Sequence, residues 1–281
     1  GVLLATRRDQ GAGLIAARPG PARAPRTLAG PLGLVWRRTR GSWFGWTAGA
    51  VTLGLCMGPV LGSMGDYLAD NPTMAEMLGI DPTAGDAAMV EGFSAVLILY
   101  IAMLSGAGAI SAVGAFAADE RQGLVARQLA EAVPRTRLLG STAGAATACA
   151  LVGFSAGAGA YALVVALDST LSPSLALGVA GAALRAFPGL IATVALAVFL
   201  VAAVPRLAAL SWAPFGYAFL QVILGPMLRL PDWTRYLSPL SAAPYSPAAE
   251  PDWPALTALL AVAAVLTWAA LRRFRARDLL A

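Results

Sequence analysis

Residues 118–141 read ADERQGLVARQLAEAVPRTRLLGS, and an apolar run of membrane length lies on each side of this charged segment. Its apolar and charged side chains fall mostly on opposite sides of a helix, which predicts a short amphipathic helix between two membrane spans. The apolar side holds Leu124, Val125, Leu129, Ala132 and Val133, and most of Asp119, Glu120, Arg127, Glu131 and Arg135 fall on the other. Because such a segment cannot lie in lipid, it is either an ordinary solvated loop or a surface that meets a partner protein.

The composition around this segment indicates a polytopic membrane protein. Of the 281 residues, 58% are hydrophobic and only 12% are charged, whereas a soluble domain carries roughly 25% charged residues. Several apolar runs are long enough to cross a bilayer. The net charge of +5 comes from arginines alone, since the chain has no lysine and no histidine, and it does not indicate nucleic-acid binding.

The residue types present exclude several kinds of chemistry. Residues 153–157 match the G-x-S-x-G pattern of serine hydrolases, but no histidine or lysine is available to activate Ser155. The missing lysine also excludes a P-loop for ATP. Cys56 and Cys149 lie inside apolar runs, which argues against a zinc site or a disulfide framework. We therefore expect no enzymatic activity, no cofactor and no metal in this chain. If the protein transports a compound uphill, the energy must come from a partner.

Six membrane spans are predicted, and together they make the fold all-α. They cover residues 42–64, 93–117, 138–167, 187–204, 207–228 and 254–271. Residues 175–186 are predicted as a separate interfacial or re-entrant piece, because Arg185, Phe187 and Pro188 divide the long apolar run there. The six-helix domain as a whole covers residues 41–281.

The segments outside the spans have different compositions. Residues 1–27 form a basic, proline-rich linker, and residues 28–40 form an interfacial helix with tryptophan at headgroup level and arginine toward anionic lipid. The acidic segment 66–91 and the proline- and aromatic-rich segment 229–253 connect spans. Residues 4–9 and 271–279 both run from apolar residues into Arg and Asp, which indicates one half of a longer duplicated protein.

The arginines set the predicted orientation. If six spans alternate from a cytoplasmic N-terminus, all of the 20 arginines lie on the cytoplasmic side except Arg185, Arg229 and Arg235. This asymmetry predicts that both termini and the segment 118–138 are cytoplasmic, and that segments 66–91 and 229–253 are external.

Glycines four residues apart predict close helix packing in two of the spans. The pairs are Gly45/Gly49, Gly54/Gly58, Gly140/Gly144 and Gly153/Gly157. We assign helix contacts in particular to Gly45, Gly49, Gly140 and Gly144.

The charged segment resembles the cytoplasmic loop between the second and third spans of ABC-2 type permeases. In that family a loop of the form E-x-x-x-G-x-…-L-A-x-P-x-x-R docks on the ATP-binding subunit. Glu120, Leu129, Ala130 and Arg135 match this form, Gly123 is one place closer, and Pro134 comes two places late. The resemblance implies ATPase coupling by Asp119, Glu120, Gly123, Leu124, Leu129, Val133 and Arg135, with Glu120 the most specific of them.

The resemblance extends over nearly the whole chain to long ABC exporter permeases for polyketide antibiotics, which carry two six-span halves. It rests on residues 8–14, 17–22, 30–34, 40–46, 237–240 and 274–279. It implies the second half of a multidrug or antibiotic exporter in the bacterial plasma membrane. The implied partners are a second six-span half, upstream or as a second chain, and an ATP-binding subunit that carries ATP and Mg. It also implies an external re-entrant segment with Trp233, Tyr236 and Pro239. The alternative is a non-transport scaffold or an accessory subunit of a membrane complex.

Overall fold

The structure is a computed structural model that describes residues 30–77, 85–130, 133–169, 171–228, 230–243 and 245–277. The predicted linker 1–27 lies outside these residues, as does part of the predicted external segment 66–91. Every described element of regular structure is helical, which confirms the all-α prediction.

The first long helix joins two segments that the sequence separated. Helix α1, Pro31–Met57, runs without a break through the predicted interfacial helix 28–40 and into the predicted first span. It starts with proline in its first turn, where no backbone N–H is needed. Helix α2, Leu61–Asp70, follows a turn at Pro59, and the short α3, Pro72–Met77, follows α2.

The charged segment 118–141 is distributed over the next three helices. Helix α4, Asp86–Arg121, and helix α6, Arg135–Leu167, contain the predicted second and third spans. Between them lies α5, Leu124–Leu129, which has only six residues. The charged segment is therefore the end of α4, a turn, a short helix and the start of α6.

Helix α7, Pro173–Ala203, corrects the prediction that residues 175–186 form a separate piece. Its 31 residues form one helix about 46 Å long, with Pro188 inside it. Proline is tolerated within membrane helices because neighbouring groups satisfy the backbone that it frees. Arg185 does not end the helix either, since its guanidinium donates to the carbonyl oxygen of Ser246 at 2.7 Å.

The predicted fifth span is divided. Residues Pro205–Trp212 form a 3₁₀ helix, and the α-helix α8 begins only at Ala213 and ends at Met227. Pro214 has no N–H to donate, so the chain starts a new helix there and does not extend an earlier one. The 15 residues of α8 form a helix about 22 Å long, which is shorter than the roughly 30 Å hydrocarbon core of a bilayer.

After α8, a short 3₁₀ helix, Asp232–Leu237, and irregular chain lead to the last helix, α9, Trp253–Ala276. Asp252 caps α9 by accepting a hydrogen bond from the backbone N–H of Ala255 at 3.1 Å.

Four helices of the described chain are long and apolar enough to cross a membrane: Ala87–Arg121, Arg135–Leu167, Pro173–Ala203 and Trp253–Ala276. The six-span prediction is thus confirmed for four helices and not for six. Helix α1 is not among the four because its Trp, Gly and Thr residues lower its mean hydropathy. Helix α8 is not among them because it is too short.

Helix α4 lies at the centre of the bundle. It packs against α1, α6 and α7, and five almost consecutive residues in its middle are buried: Leu97, Ile98, Leu99, Ile101 and Ala102. Burial on every side explains why α4 has no polar face. Helix α9 packs mainly against α7 at the edge of the bundle.

Candidate functional site

The structure gathers charged side chains from α1, α4, α6 and the residue that follows α9, at the end of the bundle where α4 gives way to α5. We call this cluster the charged end; it comprises Arg38, Asp119, Glu120, Arg135 and Arg277. A turn at Gly123 shapes it, because Gly123 has φ +71°, a left-handed conformation that glycine adopts at no steric cost. The turn lets α5 fold back beside α4.

Glu120 forms the most buried contact of the charged end. Its carboxylate oxygen Oε2 lies 2.6 Å from Nη2 of Arg277, and its side chain is 1% exposed while that of Arg277 is 16% exposed. The Arg277 guanidinium also lies 5.2 Å from the ring centre of Phe274, which itself packs against Phe116 of α4. This ion pair therefore joins the last turn of α4 to the end of α9.

Arg135 reinforces the same junction through the backbone. Its Nη1 donates to the carbonyl oxygen of Arg277 at 2.8 Å and to that of Arg275 at 3.4 Å. These carbonyls lie at the C-terminal end of α9, where helix carbonyls lack intrahelical partners and a positive charge is favourable. Arg135, predicted to contact an ATPase, thus fastens the start of α6 to α9.

Asp119 makes the second ion pair. Its Oδ1 lies 2.5 Å from Nη2 of Arg38 on α1, with side chains 9% and 43% exposed respectively. Because Arg38 is largely open to solvent, this pair is weaker than a fully buried one. It ties α1 to α4 beside the Glu120 pair.

The predicted coupling residues mostly face their own bundle. Asp119, Glu120 and Val125 are buried, while Gly123, Leu124, Leu129, Val133 and Arg135 are half-buried. The prediction that Asp119 and Glu120 lie on the charged side of the amphipathic helix is wrong. Both acids belong to the end of α4, and the Gly123 turn separates them from α5. The exposed residues between positions 119 and 130 are Arg121, Gln122, Ala126, Arg127 and Ala130, which we call the outer face of α5.

Sequence reasoning missed the partners of the two acids. Arg121 and Arg127 are the nearest cations to Glu120 along the chain, but the structure pairs it with Arg277. A usable signal exists, because acids at the end of a long apolar run need cations nearby. The arginine clusters at residues 37–40 and 272–277 supply those cations.

The four glycines assigned to helix contacts do not make them within the described chain. A Cβ built at Gly45, Gly49, Gly140 or Gly144 meets no other atom within 4 Å. The close crossing of α1 and α6 instead uses Gly54 and Gly157, where a Cβ on Gly54 would lie 2.5 Å from the Gly157 carbonyl oxygen. Four-residue spacing identifies a face of small residues but not the direction in which that face points.

At the other end of the bundle, residues 230–253, which we call the return segment, run along α7. A Cβ on Gly189 would lie 2.6 Å from the Pro239 carbonyl oxygen, and one on Gly178 would lie 2.9 Å from the Pro247 side chain. From the start of α7 to Gly189 is about 24 Å of helix. The segment thus reaches roughly the middle of α7 before it turns back to α9.

The three residues predicted for this segment differ in exposure. Trp233 and Tyr236 are 63% and 52% exposed, whereas Pro239 is half-buried next to the fully buried Leu240. Tyr217 and Ser238 connect the segment to α8, since the Tyr217 hydroxyl donates to the Thr234 carbonyl and the Ser238 hydroxyl to the Pro214 carbonyl.

No group of three or more metal-ligating side chains occurs among the described residues. The arrangement offers ion pairs that can join or release helix ends, an exposed α5 and a segment folded back between helices.

Comparison with known proteins assigns the family. A family model described as the C-terminal domain of the multidrug efflux system permease Rv1217c matches residues 28–275. The chain is also 32% identical over 276 residues to the multidrug efflux system permease protein Rv1217c of Mycobacterium tuberculosis (strain ATCC 25618 / H37Rv), an alignment that covers 96% of this chain and 49% of that protein. The chain thus spans about half the length of this curated relative. With its apolar helices, it is a membrane protein and belongs to the family of the Rv1217c multidrug efflux permease C-terminal domain.

Proposed function

We propose that this chain is the second half of an ATP-driven exporter permease that moves a hydrophobic or amphiphilic compound, such as an antibiotic or drug, out of the cell. The observation that carries the proposal is the family match over residues 28–275. The named relative is a multidrug efflux permease about twice as long as the aligned region. A second six-span half therefore accompanies this one, upstream in the same protein or as a separate chain.

Six spans are part of the proposal. Four helices are long and apolar enough to cross the membrane. Helix α1 supplies another, since its part from Ser42 onward carries no charged residue. The 3₁₀ helix Pro205–Trp212 with α8 supplies the last, together with the return segment, which re-enters the bundle from the outside.

The charged end lies on the cytoplasmic side in this proposal, because the arginines concentrate there. An ABC ATP-binding subunit, which carries ATP and Mg, docks on the outer face of α5. Glu120 does not touch that subunit, since its side chain is 1% exposed and paired with Arg277. It transmits movement of α5 to α9 through the ion pair.

Co-purification tests the proposal. The chain, expressed with its second half in a bacterial membrane, is expected to retain an ABC ATP-binding subunit. Inverted vesicles containing the complex should then accumulate a fluorescent drug when ATP and Mg are added, but not with ADP. Recovery without any ATPase, together with equal drug uptake with ATP and with ADP, would favour the scaffold or accessory subunit.

A further inference from the structure

The strongest unassigned feature is a cavity of about 500 Å³ between α1, the end of α4, α5 and the start of α6. This volume lies within the roughly 300–1,000 Å³ of pockets that hold small ligands. The cavity shares Arg38 and Asp119 with the charged end, but most of its wall is apolar. Leu34, Phe116 and Leu138 contribute part of that apolar wall.

The cavity has a positively charged mouth and an apolar wall. Arg37, Arg38, Asp119 and Arg127 all line it, and the Arg38–Asp119 ion pair cancels one positive charge. Arg37 and Arg127 form no ion pair with any residue in the described part of the chain. Two exposed guanidinium groups, one from α1 and one from α5, therefore give the mouth of the cavity a positive charge above an apolar wall.

Aromatic residues on α1 indicate the depth of this mouth in a membrane. Trp36, Trp43 and Phe44 pack together, with ring centres 4.9–6.1 Å apart, and Trp36 and Phe44 are 41% and 57% exposed. Exposed tryptophans concentrate at the level of lipid headgroups. Arg37 follows Trp36 directly in the same helix, so the cavity mouth lies at headgroup depth.

We propose that this cavity binds an anionic phospholipid, with its phosphate on Arg37 and Arg127 and its first hydrocarbon segment against Leu34, Phe116 and Leu138. Basic pockets between membrane helices suit anionic headgroups, and guanidinium groups match phosphate geometry. The lipid bridges α1 and α5, since one arginine comes from each. The site shares Arg127 with the outer face of α5, but its occupant comes from the surrounding membrane and not from a partner protein.

Native mass spectrometry of the whole chain in a neutral detergent tests the site. Phosphatidylglycerol is expected to bind at least tenfold more tightly than phosphatidylcholine with the same acyl chains, and this preference should shrink as salt is raised. Each basic residue near an anionic lipid contributes about fivefold to binding. The Arg37→Gln/Arg127→Gln double variant should therefore lose about twenty-fivefold in affinity for phosphatidylglycerol, and either single variant about fivefold.

Arg273→Gln is the matched control, because it removes the same charge from an exposed position that does not line the cavity. It should keep the wild-type affinity. An equal loss for Arg273→Gln and the double variant, or equal binding of the two lipids by the wild type, would overturn the proposal. Inorganic phosphate distinguishes a free anion from a lipid: displacement of phosphatidylglycerol by phosphate at equal concentration would also overturn it, since the apolar wall would then add nothing.

Discussion

The charged end and the return segment both hold distant parts of the chain against long helices, but they do so by different means. At the charged end, side chains carry the contacts, through the Glu120–Arg277 and Asp119–Arg38 ion pairs. In the return segment, backbone carbonyls carry most of the contacts: that of Pro239 lies against Gly189, and those of Thr234 and Ser246 accept hydrogen bonds from neighbouring helices.

This difference teaches where each region is sensitive to change. Charge holds the charged end together, so replacing a carboxylate by an amide of the same size weakens it. Shape holds the return segment, so added volume weakens it while added charge on its exposed residues does not. The following predictions test this distinction, from the largest expected effect on stability to the smallest.

Glu120→Gln should cause the largest loss of stability, about 3–5 kcal/mol, because it leaves the Arg277 guanidinium without its buried carboxylate. The measurement is the midpoint of unfolding in a titration of detergent micelles with dodecyl sulfate. A Glu120→Leu/Arg277→Met double variant should recover most of the loss, since apolar pairs often replace buried ion pairs without cost. Wild-type stability of the single variant would show that the pair does not hold α4 to α9.

Gly189→Val should lower the free energy of unfolding by about 1–3 kcal/mol, because its side chain would displace the Pro239 backbone. Gly144→Val is the control, since a Cβ there meets no other atom within 4 Å. The same titration should find the control within about 0.5 kcal/mol of wild type. A larger loss for Gly144→Val than for Gly189→Val would mean that the return segment yields to added volume.

Asp119→Asn should cost only about 0–1 kcal/mol, because Arg38, its partner, is 43% exposed. The loss should also fall as salt is raised, since exposed charges are screened. Unfolding midpoints at low and high salt measure both effects. A loss equal to that of Glu120→Gln would contradict the difference in burial between the two pairs.

Ala126→Glu should leave stability within about 0.5 kcal/mol of wild type, because Ala126 is exposed on the outer face of α5. If the ATPase docks there, its recovery with the chain should fall severalfold. Ala248→Glu adds the same charge to an exposed residue of the return segment and should not change recovery. Unchanged recovery for Ala126→Glu would move the docking surface away from α5.

The sequence predicts helices better than it predicts contacts. Spans 93–117, 138–167 and 254–271 lie inside α4, α6 and α9, because long apolar runs allow little else in a membrane. The break predicted at Pro188 is absent, since packing of the return segment on α7 supports a continuous helix there. Local residue patterns carry no information on such neighbours.

At the candidate site, too, the sequence predicts the segment better than its contacts. The charged segment and its buried acids are visible in the sequence, but their partners are 81 and 157 residues away in the chain. Glu120 looks like a docking residue when only its neighbours are read, and it becomes an internal contact once α9 folds beside it. A left-handed glycine at position 123 decided this outcome, because it separated the acids from the face of α5.

The Glu120–Arg277 pair also sets an order of events during synthesis. The two residues are 157 positions apart, and a ribosome that adds roughly 5–20 residues per second takes about 8–30 seconds to cover that distance. During this interval the carboxylate at the end of α4 is already made and its guanidinium partner is not. The Glu120 carboxylate therefore lacks this partner until α9 is made, and docking of α9 is the step that closes the finished bundle.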